Sequence, residues 1–269
     1  MGGINRLSAD EITRYLDRIG CADYPRDATP TRALLDRLTL AHARAVPFDT
    51  RPLVATGQVP SLALDRLFDK IVAHRGGGYC FELNALFDAL LAGLGFDVRP
   101  CLCRSVVGDP EPAPVDHRGE LVTVEGTLLY ADVGFGGPAC ALPIPVEEGV
   151  RVNDGMHAFS VERVDDCWWN LNRACAGWHS YANNTPDVRT ELMFCTASAR
   201  DTDFELLNVA QSSERSIFRE NEYVNLRLED GALAITNLAG KRYRASGAEA
   251  LSFASAAERD DYLARAFGI

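Results

Sequence analysis

The sequence predicts an α+β chain: an N-terminal helical bundle, a β-rich centre that suits a small barrel, and a mixed α/β end. Three observations carry this. Apolar residues recur at helical spacing as far as Leu94, the period shifts toward strands after Gly95, and beyond Arg189 a hairpin signal precedes a closing amphipathic helix. The corresponding segments are 1–94, 95–188 and 189–269. No repeat, low-complexity stretch or flexible linker separates them, so they are expected to pack as one body.

Ser8-Ala9-Asp10-Glu11 reads as a capping box opening a helix with Ile12, Tyr15, Leu16 and Ile19 on one face, stopped at Gly20. Thr29-Pro30 offers an N-cap and a first-turn proline for a second helix, which carries Leu34, Leu35, Leu38 and Ala45 inward and ends before Pro47. His42, one turn past Leu38, reads as a hydrogen-bonded core histidine. Ser61 is the expected cap of a third helix bearing Leu64, Leu67, Phe68 and Ile71. The last helix of the bundle begins at Cys80, directly after Gly76-Gly77-Gly78. Its stripe of Leu83, Leu86, Phe87, Leu90, Leu91 and Leu94 ends at Gly95, where a C-terminal cap belongs.

Beyond Gly95, Phe96, Val98, Leu102 and Val106 mark a broken strand, and a proline-rich loop runs from Gly108 to Pro114. Glu120 to Glu125 and Leu128 to Val133 read as strands joined at Gly126-Thr127. Met156 to Val164 and Cys167 to Leu171 form a hairpin around Asp165-Asp166. Tyr223 to Leu228 and Ala232 to Thr236 form another around Asp230-Gly231. Ser255-Ala256-Ala257-Glu258 then opens the closing helix with Tyr262, Leu263, Ala266 and Phe267.

Net charge is -11 with a pI near 4.9, which argues against a nucleic-acid or anionic-membrane surface as the main partner. No basic stretch followed by an apolar run opens the chain, and no run approaches the length of a membrane span. A cytoplasmic protein is therefore expected, its eight cysteines reduced. Cys101-Leu102-Cys103 lacks the second pair that a zinc site needs, and a core strand explains it.

Chemistry points to Cys80. At the first turn of a helix, free N–H groups and the positive dipole end favour thiolate, while the three glycines open the backbone beside it. The competing reading is a buried structural thiol. A thiolate nucleophile needs a base, and that base an orienting group. Of five histidines, His74 lies close in sequence but on the exposed side of the glycines. His117 ends the long loop and enters a strand. Asp132 is an acid among apolar strand residues, costly to bury unless paired. A tight turn at Gly126-Thr127 sets Asp132 opposite Leu121, roughly 13 Å along the strand from His117, so the pair meets only if the chain bends or the turn lies elsewhere.

Gly77-Gly78-Tyr79-Cys80-Phe81-Glu82-Leu83-Asn84 resembles the active-site segment of the arylamine N-acetyltransferases. Further stretches resemble that family in the same order. They are Val46-Pro47-Phe48, His117 with Leu121 and Val122, Asp132-Val133-Gly134-Phe135-Gly136-Gly137, and, more weakly, Asn208, Ser212, Ser213, Ser216 and Phe218. The resemblance implies a helical domain, a β-barrel and a C-terminal α/β lid with a cysteine-protease-like core. It implies Cys80 as nucleophile, His117 as base and Asp132 as orienting acid. Phe135 and Gly136 would line the substrate cleft, with Phe48 a further pocket residue. The implied reaction is ping-pong transfer from acetyl-CoA, through a Cys80 thioester, to an arylamine, arylhydrazine or N-hydroxyarylamine, with no metal.

Two positions depart from the family pattern. Gly76 stands where an arginine usually precedes the Gly-Gly pair, and Asp49-Thr50 where Glu-Asn usually follows Pro-Phe. The same triad would also serve a cysteine hydrolase, a transglutaminase-like enzyme or a macrolactam-forming amide synthase. A non-catalytic binding protein has no chemical need of all three residues.

Overall fold

The computed structural model describes residues 5–24, 29–107, 109, 111–174 and 188–269. Gly108 and Pro110 of the expected loop, His179 and Cys175 lie outside them.

The bundle opens as the sequence implies. Helix α1 (Ala9–Arg18) is capped by Ser8, whose hydroxyl accepts from the Glu11 N–H while the Glu11 carboxylate accepts from the Ser8 N–H at 2.8 Å. Helix α2 (Arg32–Ala45) starts later than Thr29-Pro30 suggests. Thr31 is extended and its hydroxyl reaches the Leu34 N–H at 3.2 Å, so it takes the cap and Pro30 falls outside. His42 is fully buried, with Nδ1 2.7 Å from the Tyr15 hydroxyl.

Strand β1 (Phe48–Asp49) and a short helix α3 (Arg51–Thr56) follow, neither anticipated. Helix α4 (Leu64–Phe68) is preceded by Ala63, and Ser61 accepts only from the Ala63 N–H. A π-helical turn at Asp69–Ala73 then leads to the glycines and α5 (Cys80–Gly93), with Gly95 left-handed at φ +89° just beyond it.

The centre is β2 (Asp97–Ser105), β3 (His117–Val124), β4 (Thr127–Ala131), β5 (Ile144–Pro145), β6 (Arg151–Asn153), β7 (Ala158–Arg163), β8 (Trp168–Ala174) and β9 (Val188–Cys195). Among the described residues these eight form one antiparallel sheet, ordered β5-β4-β3-β2-β9-β8-β7-β6 and nearly closed into a barrel. Strand β9 hydrogen-bonds both β2 and β8, so the sheet extends to Cys195.

Helices α6 (Asp203–Gln211) and α7 (Ile217–Glu220) then lead into a second sheet, β10 (Tyr223–Arg227), β11 (Gly231–Thr236), β12 (Ala239–Arg244) and β13 (Gly247–Ser252). Helix α8 (Ala256–Phe267) covers it, Leu263 packing with Val224, Leu226, Leu233 and Ile235. Ser255 caps α8 as expected, but Glu258 returns to the Ala254 N–H instead of completing the box. The N-terminal part contributes to this sheet: β1 pairs with β10, Phe48 opposite Asn225.

Helix α5 is buried on every side, which no amphipathic stripe conveys. Its leucines pack in the bundle, while Cys80, Asn84 and Asp88, at i, i+4 and i+8, form a polar ridge toward β3. Strand β3 is covered on both faces. Arg118, fully buried, pairs with Asp88 and, at 2.7 Å, with Asp201.

Glu120, two residues on, has no hydrogen-bond partner for either carboxylate oxygen among the described residues. Burial, then the charges of Asp88 and Asp132, hold its carboxyl well above the ordinary range, so the folded protein keeps it protonated where the unfolded chain ionises. Stability is therefore lost as pH rises above the unfolded value near 4.5. Glu120→Gln should be close to neutral at pH 4. At pH 7.5 it should raise Tm by about 3 °C or more, read from thermal melts at both pH values.

Candidate active site

The glycine segment places Cys80 by close approach. The left-handed residue is Arg75 (φ +55°), whereas Gly76, Gly77 and Gly78 are not left-handed. A Cβ on Gly77 would lie 2.5 Å from the Pro47 carbonyl oxygen, and one on Gly78 3.0 Å from Glu82 Cβ. The Asp49 N–H donates to the Gly78 carbonyl at 2.8 Å, tying the segment to β1. Around the two positions that depart from the family pattern, Lys70 pairs with Glu82 at 2.7 Å beside the glycine segment. Asp49 pairs with Arg51 at 2.7 Å, and the Thr50 hydroxyl accepts from the Tyr223 N–H at 2.8 Å.

His117 and Asp132 meet, with Nε2 2.6 Å from Oδ2. The turn explains it. Val124 pairs with Thr127, so the corner is Glu125-Gly126, both left-handed at φ +52° and +77°. Relative to a corner at Gly126-Thr127 the register moves by two residues. Glu120 faces Ala131, which sets Asp132 diagonal to His117 on one face of the ladder, within reach of an imidazole. Cys80 is buried at the start of α5, where the charge of His117 acts on its thiol. Cys80, His117 and Asp132 are gathered where bundle and barrel meet.

The electrostatics differ from the expected low thiol pKa. Burial pushes the Cys80 thiol above its ordinary range, and the hydrogen bond and charge of His117 offset only part of that. Desolvation of a residue that is 2% exposed is the largest of the influences on the thiol. Burial also opposes charge on His117, but the Asp132 carboxylate overrides it and holds the imidazole well above its usual value. Asp132 itself is lowered: burial would raise it, and the His117 charge with bonds from His117, Asn84 and Gly134 prevails. Thiolate at this site is accordingly the partner of an imidazolium, and titration belongs to the pair.

Asn84 was quoted in the family motif but given no function by the sequence reading. Its Nδ2 donates to Asp132 Oδ1 at 3.0 Å and its Oδ1 accepts from the Val133 N–H at 2.9 Å, fixing the acid to α5. One helical turn from Cys80 and polar within an apolar helix, it carried a readable signal. Gly134 is pressed against Cys80, where a Cβ would lie 3.0 Å from Cys80 Cα. His74 is exposed and bonds its own turn at the Asp69 carbonyl, away from the site. Every described cysteine is free, and Cys101 and Cys103 are buried in the barrel.

Phe48, Phe135 and Gly136 line one cleft between barrel and second sheet, partly open to solvent. Phe135 also stands edge-on to His117, ring centroids 5.4 Å apart, and Asp132 lines the same cleft. Gly136 is left-handed (φ +71°) with the Phe48 ring beneath it; a Cβ there would sit 2.7 Å from that ring. Polar groups on the wall are few, among them Asn225, Arg227 and Tyr243. An apolar channel with sparse polar groups fits a thin acyl thioester arm or a flat aromatic ring.

A family model described as N-acetyltransferase matches residues 32–269. The chain is 29% identical over 274 residues to a Mycobacterium tuberculosis arylamine N-acetyltransferase, covering 96% of this chain and 89% of that protein. Among solved structures, the Salmonella typhimurium arylamine N-acetyltransferase superposes with a TM-score of 0.86 at 27% identity, covering 98% of this chain and 92% of the other. The Mycobacterium marinum arylamine N-acetyltransferase in complex with CoA gives 0.84 at 27% identity, over 96% and 92%.

Proposed function

The chain belongs to the arylamine N-acetyltransferase family, and from that premise we propose that it carries acetyl from acetyl-CoA through Cys80 to an aromatic amine or hydrazine. The observation that carries the residue assignment is the 2.6 Å His117–Asp132 contact beside the buried Cys80 thiol.

In the first half-reaction the Cys80 proton passes to His117, and Asp132 stabilises the imidazolium that results. Cys80 sulfur bonds to the acetyl carbonyl carbon, the carbon–sulfur bond to CoA breaks, and His117 returns its proton to the departing thiolate. Backbone N–H groups in the first turn of α5, including that of Cys80, are suited to the tetrahedral oxyanion. In the second half the amine nitrogen attacks the Cys80 thioester, His117 takes the proton the nitrogen loses, and Cys80 leaves as thiolate. Phe48 and Phe135 offer the apolar faces an arylamine ring needs.

A net charge of -11 supports small-molecule partners over nucleic acid or an anionic membrane surface. Among the described residues no helix is long and apolar enough to cross a membrane. Free thiols throughout them suit a reducing cytoplasm.

Intact-mass analysis tests the reading. Incubation with acetyl-CoA alone should add one acetyl group to Cys80, and an arylamine should remove it as the amide. Turnover of acetyl-CoA at full rate without amine would instead identify a hydrolase.

A further inference from the structure

The barrel interior contributes a group to this centre that the sequence reading passed over. Tyr130 lies two residues before Asp132, on the same face of β4, and is buried. Its hydroxyl donates to Asp132 Oδ2 at 2.9 Å, the same oxygen that accepts from His117 at 2.6 Å. The other oxygen, Oδ1, accepts from Asn84 at 3.0 Å and from the Gly134 N–H at 2.8 Å.

The phenol has little freedom to turn elsewhere. Its ring stacks on Phe194 with centroids 4.4 Å apart and planes 19° from parallel. Gly119 lies against the hydroxyl end of the ring, where a Cβ would sit 2.6 Å from Cε2 and 2.7 Å from the phenol oxygen. Cys103 Sγ lies 3.6 Å behind the hydroxyl, so the phenol oxygen has a neighbour able to donate to it while its own proton goes to Asp132.

We propose that Tyr130 is a positioning residue of the acyl-transfer centre: its phenol, sharing Asp132 Oδ2 with His117, aims that oxygen and moderates its pull on the imidazole. This rests on the Cys80, His117, Asp132 reading above. Two donors on one carboxylate oxygen divide its electron density, so each bond is weaker than it would be alone. With Tyr130 in place, Asp132 favours the imidazolium without trapping it, and His117 can take the amine proton in the second half-reaction. The ionisable groups around the pair are Cys80 from α5, Asp116 and Glu120 before and on β3, and Cys101 and Cys103 from β2. Burial keeps Glu120, Cys103 and Tyr130 itself in their neutral forms, so Tyr130→Phe removes a hydrogen bond and no charge.

The test is NMR titration of the His117 ring, together with the pH profile of amine attack on enzyme already acetylated at Cys80. In Tyr130→Phe the His117 titration and the acid limb should both move up by ~0.5–1 pH unit. The rate on that limb should fall by about 3–10-fold with KM for the amine unchanged. Should Tyr130→Phe fail to fold, 3-fluorotyrosine at position 130 is a stronger donor of the same shape and should move both readouts down. An unmoved His117 titration in an enzyme that still acetylates Cys80 overturns the role of Tyr130 alone. Failure of the parent enzyme to acetylate Cys80 overturns the catalytic reading beneath it.

Discussion

Cys80→Ser should lower acetyl transfer to arylamine by about 10³-fold or more and leave no acetyl adduct in intact-mass analysis. The alcohol is isosteric but far less acidic than the thiol, and the site already works against the anion by burying it. Burial sets even the Cys80 thiol above its ordinary range, with the His117 imidazolium as its counter-charge. Serine in the same place starts from a higher pKa and meets the same desolvation, so the nucleophilic anion is lost. Because the substitution changes one buried atom, near-ultraviolet circular dichroism and Tm should stay close to the parent. Transfer within tenfold of the parent would remove Cys80 from the mechanism.

Asp132→Asn should lower the second-order rate of Cys80 acetylation by about 10³–10⁴-fold. The asparagine keeps the shape while removing the negative charge that makes His117 basic. Without it, burial dominates and the imidazole falls from well above its usual value toward or below it. The thiolate–imidazolium pair then loses the anion that sustains its cation. An amide can also present N–H to His117 Nε2, reversing the polarity of the 2.6 Å contact and selecting the wrong tautomer. Stopped-flow acetylation across pH 5.5–9 and NMR titration of His117 read both effects. A His117 titration unchanged in Asp132→Asn would mean that the carboxylate does not govern the imidazole.

Much of the local structure was legible in the residues. The start of α5 at Cys80, its stop at Gly95, the core role of His42, the hairpins at Asp165 and Asp230, and the capping of α1 each follow from signals spanning a few residues. The cap of α2 falls on Thr31 and not on Thr29, because the residue whose hydroxyl accepts from a first-turn N–H is settled only in the folded chain. Strand β1 escaped notice because two residues have no period of their own, and its partner β10 lies far along the chain.

The sequence by itself determined the chemical inventory and its local frame: a cysteine at a helix start behind close-packing glycines, a histidine entering a strand, and an acid that needs a partner. Tertiary structure decided whether these meet and in which protonation state. Moving the turn by one residue shifted the register by two and turned a separation of roughly 13 Å into a 2.6 Å contact. Enclosure by bundle and barrel raised the thiol that the helix terminus alone would have lowered. Asn84 and Tyr130 converge on one carboxylate from α5 and from the barrel interior. Periodicity and capping are sums over neighbouring residues, whereas register, desolvation and shared hydrogen bonds are sums over atoms brought together only when the chain has folded.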